Sequence, residues 1–225
     1  MASTLLVVTS PVVKRHFRFK FVGYCNRTVL QWMKITCGVT FEIKGLHHIP
    51  KDQPLVVACN HQGDWETFYL LTMGLPVSTV LKKELLYIPF FGWALAMLNP
   101  IAIDRKRKMN ALKQLSQQGC ERLKAGISVL IFPEGTRVAP GEKKAYLPGG
   151  GMLAVKSKAN IIPVAHNAGH LWPRNSLIKK PGTITLVIGP VIESTNKSAK
   201  KITMEVETWI ETTVSSLPHF VTESK

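Results

Sequence analysis

His61 is followed within five residues by two carboxylates, Asp64 and Glu66. A carboxylate that accepts the proton-bearing nitrogen of an imidazole fixes the tautomer and leaves the other nitrogen able to take a proton from a hydroxyl. The three residues follow the apolar run 55–59, so we expect His61 to lie where a strand passes into a helix. His61 is therefore a candidate general base, and either Asp64 or Glu66 is its candidate orienting acid.

The chain shows no nucleophile to accompany this histidine. An imidazole with a carboxylate is the electrostatic half of a Ser-His-Asp triad, but no G-x-S-x-G segment occurs in the sequence. Direct attack by a hydroxyl of the substrate is then the simplest mechanism. The alternative is that His61 caps the following helix or fills a polar pocket. No metal site is predicted, because His-x-x-Asp-x-Glu lacks a second histidine or cysteine at ligand spacing.

A second polar segment, Phe-Pro-Glu-Gly-Thr-Arg at residues 132–137, follows the β-forming run 128–132. The planar fork of Arg137 suits a phosphate, and Gly135 lets the backbone approach an anion. Glu134 is placed to hold Arg137. The alternative is an ordinary turn at the end of a strand.

A third segment, Asp104 and Arg105, follows the short apolar run 101–103. It puts another arginine beside an acid at the end of a predicted strand, where the alternative is a surface ion pair. Reactive groups of α/β sheets gather on loops at strand ends. The three polar segments therefore have a common place to meet.

From residue 40 onward, short β-forming runs alternate with longer helical patterns, separated by Pro and Gly. The predicted strands are residues 40–44, 55–59, 77–81, 101–103, 128–132, 161–165 and 183–188. The predicted helices are residues 66–73, 84–98, 109–124, 152–159 and 199–216. Several strands are continuous Val/Ile/Leu runs, as in strands buried on both faces. We expect a single α/β domain over residues 39–225, with a mixed, mainly parallel sheet flanked by helices.

The chain is strongly basic, with 29 Lys and Arg against 14 Asp and Glu and a net charge of +15. No acidic residue precedes Glu42, and none lies between Glu142 and Glu193. This charge implies a polyanionic partner: nucleic acid, an anionic membrane or a phosphorylated substrate. The four cysteines form no C-x-x-C pair, which favours buried thiols over a disulfide framework.

Residues 1–38 are predicted to be a separate membrane-associating segment. Basic and aromatic residues alternate over residues 14–24, and apolar residues continue to Met33. This composition is typical of helices that lie in the interface of an anionic membrane. The apolar patch at residues 5–8 is too short to span a bilayer of about 30 Å. An organelle transit peptide is the alternative for this acid-poor start.

The order of the polar segments resembles that of the glycerolipid acyltransferase family. The family's four blocks are matched by Asn-His-x4-acid at residues 60–66, Ile-Asp-Arg at 103–105, Phe-Pro-Glu-Gly-Thr-Arg at 132–137 and Ile-Pro-Val at 162–164. The resemblance covers about residues 40–190. The combination of the upstream histidine with the Phe-Pro-Glu-Gly-Thr-Arg block is highly specific, and it makes a merely structural role for His61 improbable.

The resemblance implies roles for particular residues. His61 would be the general base and Glu66 its partner acid. Because Glu66 stands where the family usually has Asp, Asp64 remains an alternative orienting acid. The acceptor's phosphate would be bound by Arg105, Glu134, Gly135, Thr136 and Arg137. The acyl channel or pocket would involve Lys82, Lys83, Phe90 and Pro163. Leu147 stands where many bacterial members carry Lys.

The activity implied is transfer of a fatty acyl group to the 2-hydroxyl of 1-acylglycerol 3-phosphate, that is, lysophosphatidic acid. Acyl-CoA or acyl carrier protein (acyl-ACP) would be the co-substrate, with no bound cofactor. The enzyme would be peripheral or monotopic on the cytoplasmic face of a bacterial inner membrane. The alternatives are another acceptor, such as glycerol 3-phosphate or another lysolipid, and a basic nucleic-acid-binding protein. Nucleic acid is not the expected partner, because the basic residues are scattered and no binding motif is present.

Overall fold

The computed structural model describes residues 15–50, 52–73, 76–89, 91–104, 108–174 and 176–218. Its strands are β1 (Val39–Lys44), β2 (Val56–Cys59), β3 (Val77–Lys82), β4 (Ile101–Ile103), β5 (Ser128–Ile131), β6 (Ile161–His166) and β7 (Gly182–Ile188). Its α-helices are α1 (Arg15–Cys37), α2 (Trp65–Leu70), α3 (Phe91–Ala96), α4 (Lys108–Lys124), α5 (Gly149–Ser157) and α6 (Ala199–Ser216). Short 3-10 turns occupy Leu46–His48, Lys83–Tyr87 and Ala168–His170.

These strands form one seven-stranded sheet in the order β1-β7-β6-β2-β5-β3-β4. The pairing of β6 with β7 is antiparallel, and the other neighbouring strands pair in parallel. The predicted α/β class with a mixed, mainly parallel sheet is confirmed. β2 lies at the centre, between β6 and β5, so the loops that follow β2 and β5 leave the sheet side by side.

Each face of the sheet packs against helices, because successive residues of a strand point to opposite faces. One face packs against α1 and α2, and the other against α4, α5 and α6. The residues that α6 buries lie one helical turn apart and are Ile202, Val206 and Ile210. Both faces of β2 are thereby closed, and its carboxyl end is the part that carries the polar loop.

The prediction of one helix over residues 84–98 is wrong. The structure has the 3-10 turn Lys83–Tyr87, then an extended residue, Ile88, with φ −72° and ψ 118°, and then α3. Pro89 explains the break, because proline disfavours helical dihedrals in the residue before it and supplies no N–H to the helix.

Helix α1 is 23 residues long and contains no acidic residue in its first turn. On one side it buries Leu30, and the Asn26 side chain donates a hydrogen bond to the carbonyl of Phe68 at 3.2 Å. On the opposite side it exposes a stripe of large apolar residues: Phe17, Tyr24, Trp32 and Ile35.

The part of the predicted N-terminal segment before residue 15 lies outside the described residues. None of the described helices combines the length and the apolar character needed to cross a membrane.

Candidate active site

The imidazole of His61 contacts Glu66. The distance from His61 Nδ1 to Glu66 Oε1 is 2.7 Å, and the backbone N–H groups of Gln62 and Gly63 donate to the same oxygen at 3.0 Å. Glu66 lies in the first turn of α2 with its side chain fully buried. Of the two acids that the sequence left open, Glu66 is thus the one that meets the imidazole.

The surroundings of Glu66 favour its ionised form. Burial acts to raise the pKa of Glu66, but the N–H dipole of the His166 ring, the hydrogen bond from His61 and the N–H of Gly63 outweigh it and keep the pKa below its ordinary value. An ionised carboxylate only accepts hydrogen bonds, so Nδ1 of His61 carries the proton. The lone pair of His61 is then on Nε2, which is the arrangement a general base requires.

The ring of His61 is further fixed by packing. It stacks on Phe132 with the ring centroids 3.9 Å apart and the planes at 16°. Its side chain is 16% exposed, so one edge remains accessible. Since Phe132 directly follows β5, the neighbouring strand supplies the surface against which the imidazole rests. Only small movements of the ring are compatible with both contacts.

His166, at the end of β6, belongs to the same site and was not predicted. Asn60 Nδ2 donates to the carbonyl of His166 at 2.9 Å, and the N–H of His166 donates to Asn60 Oδ1 at 3.0 Å. His166 Nε2 lies 2.9 Å from the carbonyl of Asn60, while Nδ1 accepts from the N–H of Ala168 at 3.1 Å. These contacts tie the ends of β2 and β6 together immediately before His61.

His166 is fully buried, and burial is the main reason why its pKa is lowered. Its Nδ1 accepts a hydrogen bond, so its ring is neutral with the proton on Nε2. The second carboxylate oxygen of Glu66 lies 3.9 Å from that nitrogen and has no hydrogen-bond partner among the described residues. Glu66 therefore lies between two imidazoles. A polar pair, His166 and Asn167, ending the apolar run 161–165 was the sequence signal for this site.

Glu134 does not hold Arg137, contrary to the prediction. Its Oε2 accepts a hydrogen bond from the backbone N–H of His61 at 2.8 Å, and its side chain is buried beneath the loop. Arg137 instead donates to the carboxylate of Asp64. Both partners of that ion pair are partly exposed, at 34% and 43%. Asp64 thus holds the guanidinium on the loop of His61, at the accessible side of the site.

The turn after β5 needs a glycine at position 135. Gly135 has φ +71°, its N–H donates to the carbonyl of Phe132 at 3.0 Å, and a Cβ there would lie 2.6 Å from a methyl carbon of Leu147. The next residue, Thr136, is half-buried. The N–H of Val138 donates to the carbonyl of His61 at 2.7 Å. This bond joins the loop of residues 132–138 to the loop that carries the imidazole.

The remaining predicted residues belong to other elements of the fold or lie outside the described ranges. Lys82 and Lys83 are exposed at the end of β3. Pro163 is buried within β6, paired with Ala58 of β2 and close to Gly189. Arg105 and Phe90 lie outside the described residues. The structure thus brings together His61, Glu66, Asp64, Glu134 and Arg137.

Comparison with known proteins gives the class of this chain. A family model described as "Acyltransferase" matches residues 40–167. A 1-acyl-sn-glycerol-3-phosphate acyltransferase of Pseudomonas aeruginosa is 43% identical over 220 residues, covering 95% of this chain and 84% of that protein. The human 1-acyl-sn-glycerol-3-phosphate acyltransferase alpha is 34% identical over 140 residues, covering 61% of this chain and 49% of that protein.

The fold is also shared with a solved structure. The crystal structure of the 1-acyl-sn-glycerophosphate (LPA) acyltransferase PlsC from Thermotoga maritima superposes with a TM-score of 0.80 at 24% identity, over 98% of this chain and 90% of that chain. The sheet and the loops at its strand ends therefore have the same architecture as that solved structure. The chain belongs to the acyltransferase family, and the protein is an acyltransferase.

Replacing Glu134 with Gln should change how stability depends on pH. Burial is the main cause that raises the pKa of Glu134 from 4.5 to about 8. Between these values the folded protein binds more protons than the unfolded chain, so this group's contribution to stability is present in acid and lost as pH rises. In Glu134→Gln, the fall in the free energy of unfolding between pH 5 and pH 8 should be smaller, by up to about 1.4 kcal/mol per pH unit.

Urea unfolding at pH 5, 6.5 and 8 measures this difference, with the wild-type protein as reference. Glutamine keeps the oxygen that accepts from His61, so the fold should survive the change. If the two proteins lose stability with pH in parallel, Glu134 is not the titrating group.

Proposed function

We propose that this enzyme transfers a fatty acyl group from an acyl-CoA or acyl-ACP thioester to the 2-hydroxyl of 1-acylglycerol 3-phosphate, forming phosphatidic acid. The observation that carries the proposal is the 2.7 Å contact between His61 and the buried Glu66, with the His61 side chain still partly exposed. The activities for which the Pseudomonas and human relatives are named support the choice of acceptor. Either acyl-CoA or acyl-ACP is the donor in this proposal.

The reaction needs one proton to move twice. Nε2 of His61 takes the proton from the 2-hydroxyl as that oxygen attacks the thioester carbonyl, and the ionised Glu66 stabilises the imidazolium that forms. The carbon–sulfur bond then breaks, and the imidazolium gives its proton to the leaving thiolate. The products are the ester and the free thiol, with His61 returned to its starting state. General base catalysis of this kind contributes roughly 10²- to 10⁴-fold.

Arg137 is the proposed anchor for the acceptor's phosphate, together with Arg105 from the family pattern. A guanidinium carries five N–H donors, and the contact with Asp64 engages one of its terminal nitrogens. Among the residues that the structure describes, the other donors have no protein partner, and in this proposal they bind phosphate oxygens. Asp64 is three residues from His61, so an acceptor bound to Arg137 would be held on the imidazole's own loop. Orienting bound reactants in this way can lower a barrier by several kcal/mol.

We propose that the enzyme works as a peripheral or monotopic protein on the cytoplasmic face of a membrane. The exposed stripe of Phe17, Tyr24, Trp32 and Ile35 lies opposite the buried side of α1. The same helix carries basic residues and no acidic ones, as expected of a helix that lies in an anionic interface. A pocket held at that surface would meet an acceptor whose phosphate stays in the headgroup layer.

A panel of acceptors tests the proposed function. With labelled acyl-CoA or acyl-ACP, we expect a higher kcat/KM for 1-acylglycerol 3-phosphate than for glycerol 3-phosphate or neutral lysophospholipids. The product is identified as phosphatidic acid by chromatography. Preference for another acceptor would leave the acyltransferase class intact but contradict the proposed substrate. Comparison of the two donors at equal concentration separates acyl-CoA from acyl-ACP.

Changing His61 to Ala should remove turnover without unfolding the protein. The expected loss in kcat is at least ~10²-fold, because that is the lower range for general base catalysis. Circular dichroism and thermal melting of His61→Ala serve as controls for folding. A variant that keeps more than about a tenth of the wild-type rate would show that His61 is not the base.

Changing Arg137 to Ala should raise KM for the phosphorylated acceptor and leave kcat much less affected. A hydrogen bond to a charged group is worth about 1.5–3 kcal/mol, which corresponds to roughly 10- to 150-fold in KM. Arg137→Lys keeps the charge but loses the planar fork, so its KM should lie between those of the wild type and Arg137→Ala.

The control acceptor is 1-monoacylglycerol, which has the same free 2-hydroxyl but lacks the phosphate. Its KM should hardly change in Arg137→Ala. An equal rise for both acceptors would mean that Arg137 acts on the shape of the site and does not bind the phosphate.

A further inference from the structure

The loop before β7 exposes two adjacent large aliphatic side chains. Leu177 is 99% exposed and Ile178 is 76% exposed. Single apolar residues on a surface are ordinary, but two neighbouring residues at the tip of a loop form a compact apolar projection. Such projections mark contacts with another protein or with a lipid surface.

The base of this loop is held by hydrogen bonds. The Ser176 hydroxyl donates to the carbonyl of Ile178 at 3.0 Å and accepts from the Ile178 N–H at 3.2 Å. The N–H of Lys180 donates to the carbonyl of Leu171 at 2.9 Å. The ammonium of Lys179 lies 5.2 Å from the centre of the Trp172 ring. These contacts leave the side chain of Leu177 pointing away from the domain.

The charged residues of the loop itself are of one sign. Lys179 and Lys180 follow the two aliphatic residues, and Arg174 is exposed just before them. Between residues 142 and 193 the sequence has no carboxylate. A short apolar tip flanked in sequence by cations, with no acid in the same segment, complements an anionic lipid surface, where the aliphatic side chains enter the interface and the cations meet the headgroups.

The loop also lies next to both α1 and the active-site loop. The N–H of Gly182 donates to the carbonyl of Gly38 at 3.1 Å, one residue beyond α1. At the other end, the carbonyl of Trp172 is so close to Gly63 that a Cβ on Gly63 would lie 2.5 Å from it. Gly63 is one of the donors to Glu66. The two ends of this loop therefore lie beside the end of α1 and beside the turn that binds Glu66.

We propose that residues 176–180 form a second membrane contact, separate from α1, in which Leu177 and Ile178 enter an anionic lipid interface. The proposal rests on the proposed function, in which the substrates are delivered from a lipid surface. Two contacts orient a protein on a membrane where one contact would let it rotate. The active site would then face the bilayer that holds its acceptor.

The test compares two double variants in binding to sedimented vesicles of equimolar phosphatidylcholine and phosphatidylglycerol. Leu177→Ser with Ile178→Ser should weaken partition by at least about tenfold, because two aliphatic side chains no longer leave water. The matched control is Met109→Ser with Met204→Ser, which removes two exposed apolar side chains from α4 and α6. The control should bind as the wild type does. Equal binding by the loop variant and the wild type would overturn the proposal.

A third variant, Lys179→Gln with Lys180→Gln, tests the charge. Each lysine near an anionic surface contributes about fivefold to binding, so this variant should lose affinity for the mixed vesicles and not for pure phosphatidylcholine. The same loss on both vesicles would contradict an anionic headgroup contact.

Activity assays keep this proposal distinct from the proposed function. With short-chain substrates dissolved as monomers and no vesicles, the loop variant should keep the wild-type kcat/KM, whereas with vesicle-borne acceptor its rate should fall. If the wild type acylates none of the acceptors, the proposed function fails, and vesicle sedimentation still reports on the loop. If vesicle binding is unchanged but KM for acyl-ACP rises, the loop contacts the carrier protein and the membrane proposal is overturned.

Discussion

The site depends on burying one charged carboxylate, Glu66, beneath the end of the central strand. Burial of an ionised carboxylate costs several kcal/mol unless donors surround it. Here the donors are the His61 ring and two successive backbone N–H groups. Both backbone groups reach one oxygen only in a tight turn, and Trp172 leaves no room for a side chain at Gly63. The need to satisfy Glu66 thus determines the path of the loop, and the loop determines where the imidazole points.

The neighbouring strands hold that loop from both sides. From β6, His166 bonds to Asn60 just before the histidine. From the loop after β5, the Glu134 carboxylate accepts a hydrogen bond from the His61 N–H, and the Val138 N–H donates to the His61 carbonyl. The backbone of the proposed base is therefore fixed on both sides by groups from adjacent strands. This explains why residues so far apart in sequence form one site: the parallel pairing of β2 with β5 and β6 brings their carboxyl ends to the same edge.

The positions of the strands could be predicted because continuous Val/Ile/Leu runs, interrupted by Pro and Gly, leave few other possibilities. Residues 84–98 were wrongly predicted as one helix, because their apolar pattern is helical although Pro89 breaks the backbone. The contact of His61 with an acid could be predicted from spacing, but the choice of Glu66 over Asp64 depends on which side chain turns inward. Glu134 was predicted to hold Arg137 but accepts from the His61 N–H, and Arg137 binds Asp64 instead. The reason is the same, because sequence places residues on a loop without saying which way each side chain faces. His166 was missed because its partner, Asn60, is 106 residues away.

The position of β1 has a consequence for synthesis of the chain. β1 lies at the edge of the sheet and pairs with β7, and Thr40 and Thr183 share a hydrogen bond across a separation of 143 residues. Chains emerge from the ribosome amino-terminus first and domains fold as units. α1 and β1 are therefore made long before the strand that docks them. Throughout that interval the apolar stripe of α1 is tethered to a nascent polypeptide. In the proposed membrane role, the helix would bind a lipid surface before the rest of the domain folds.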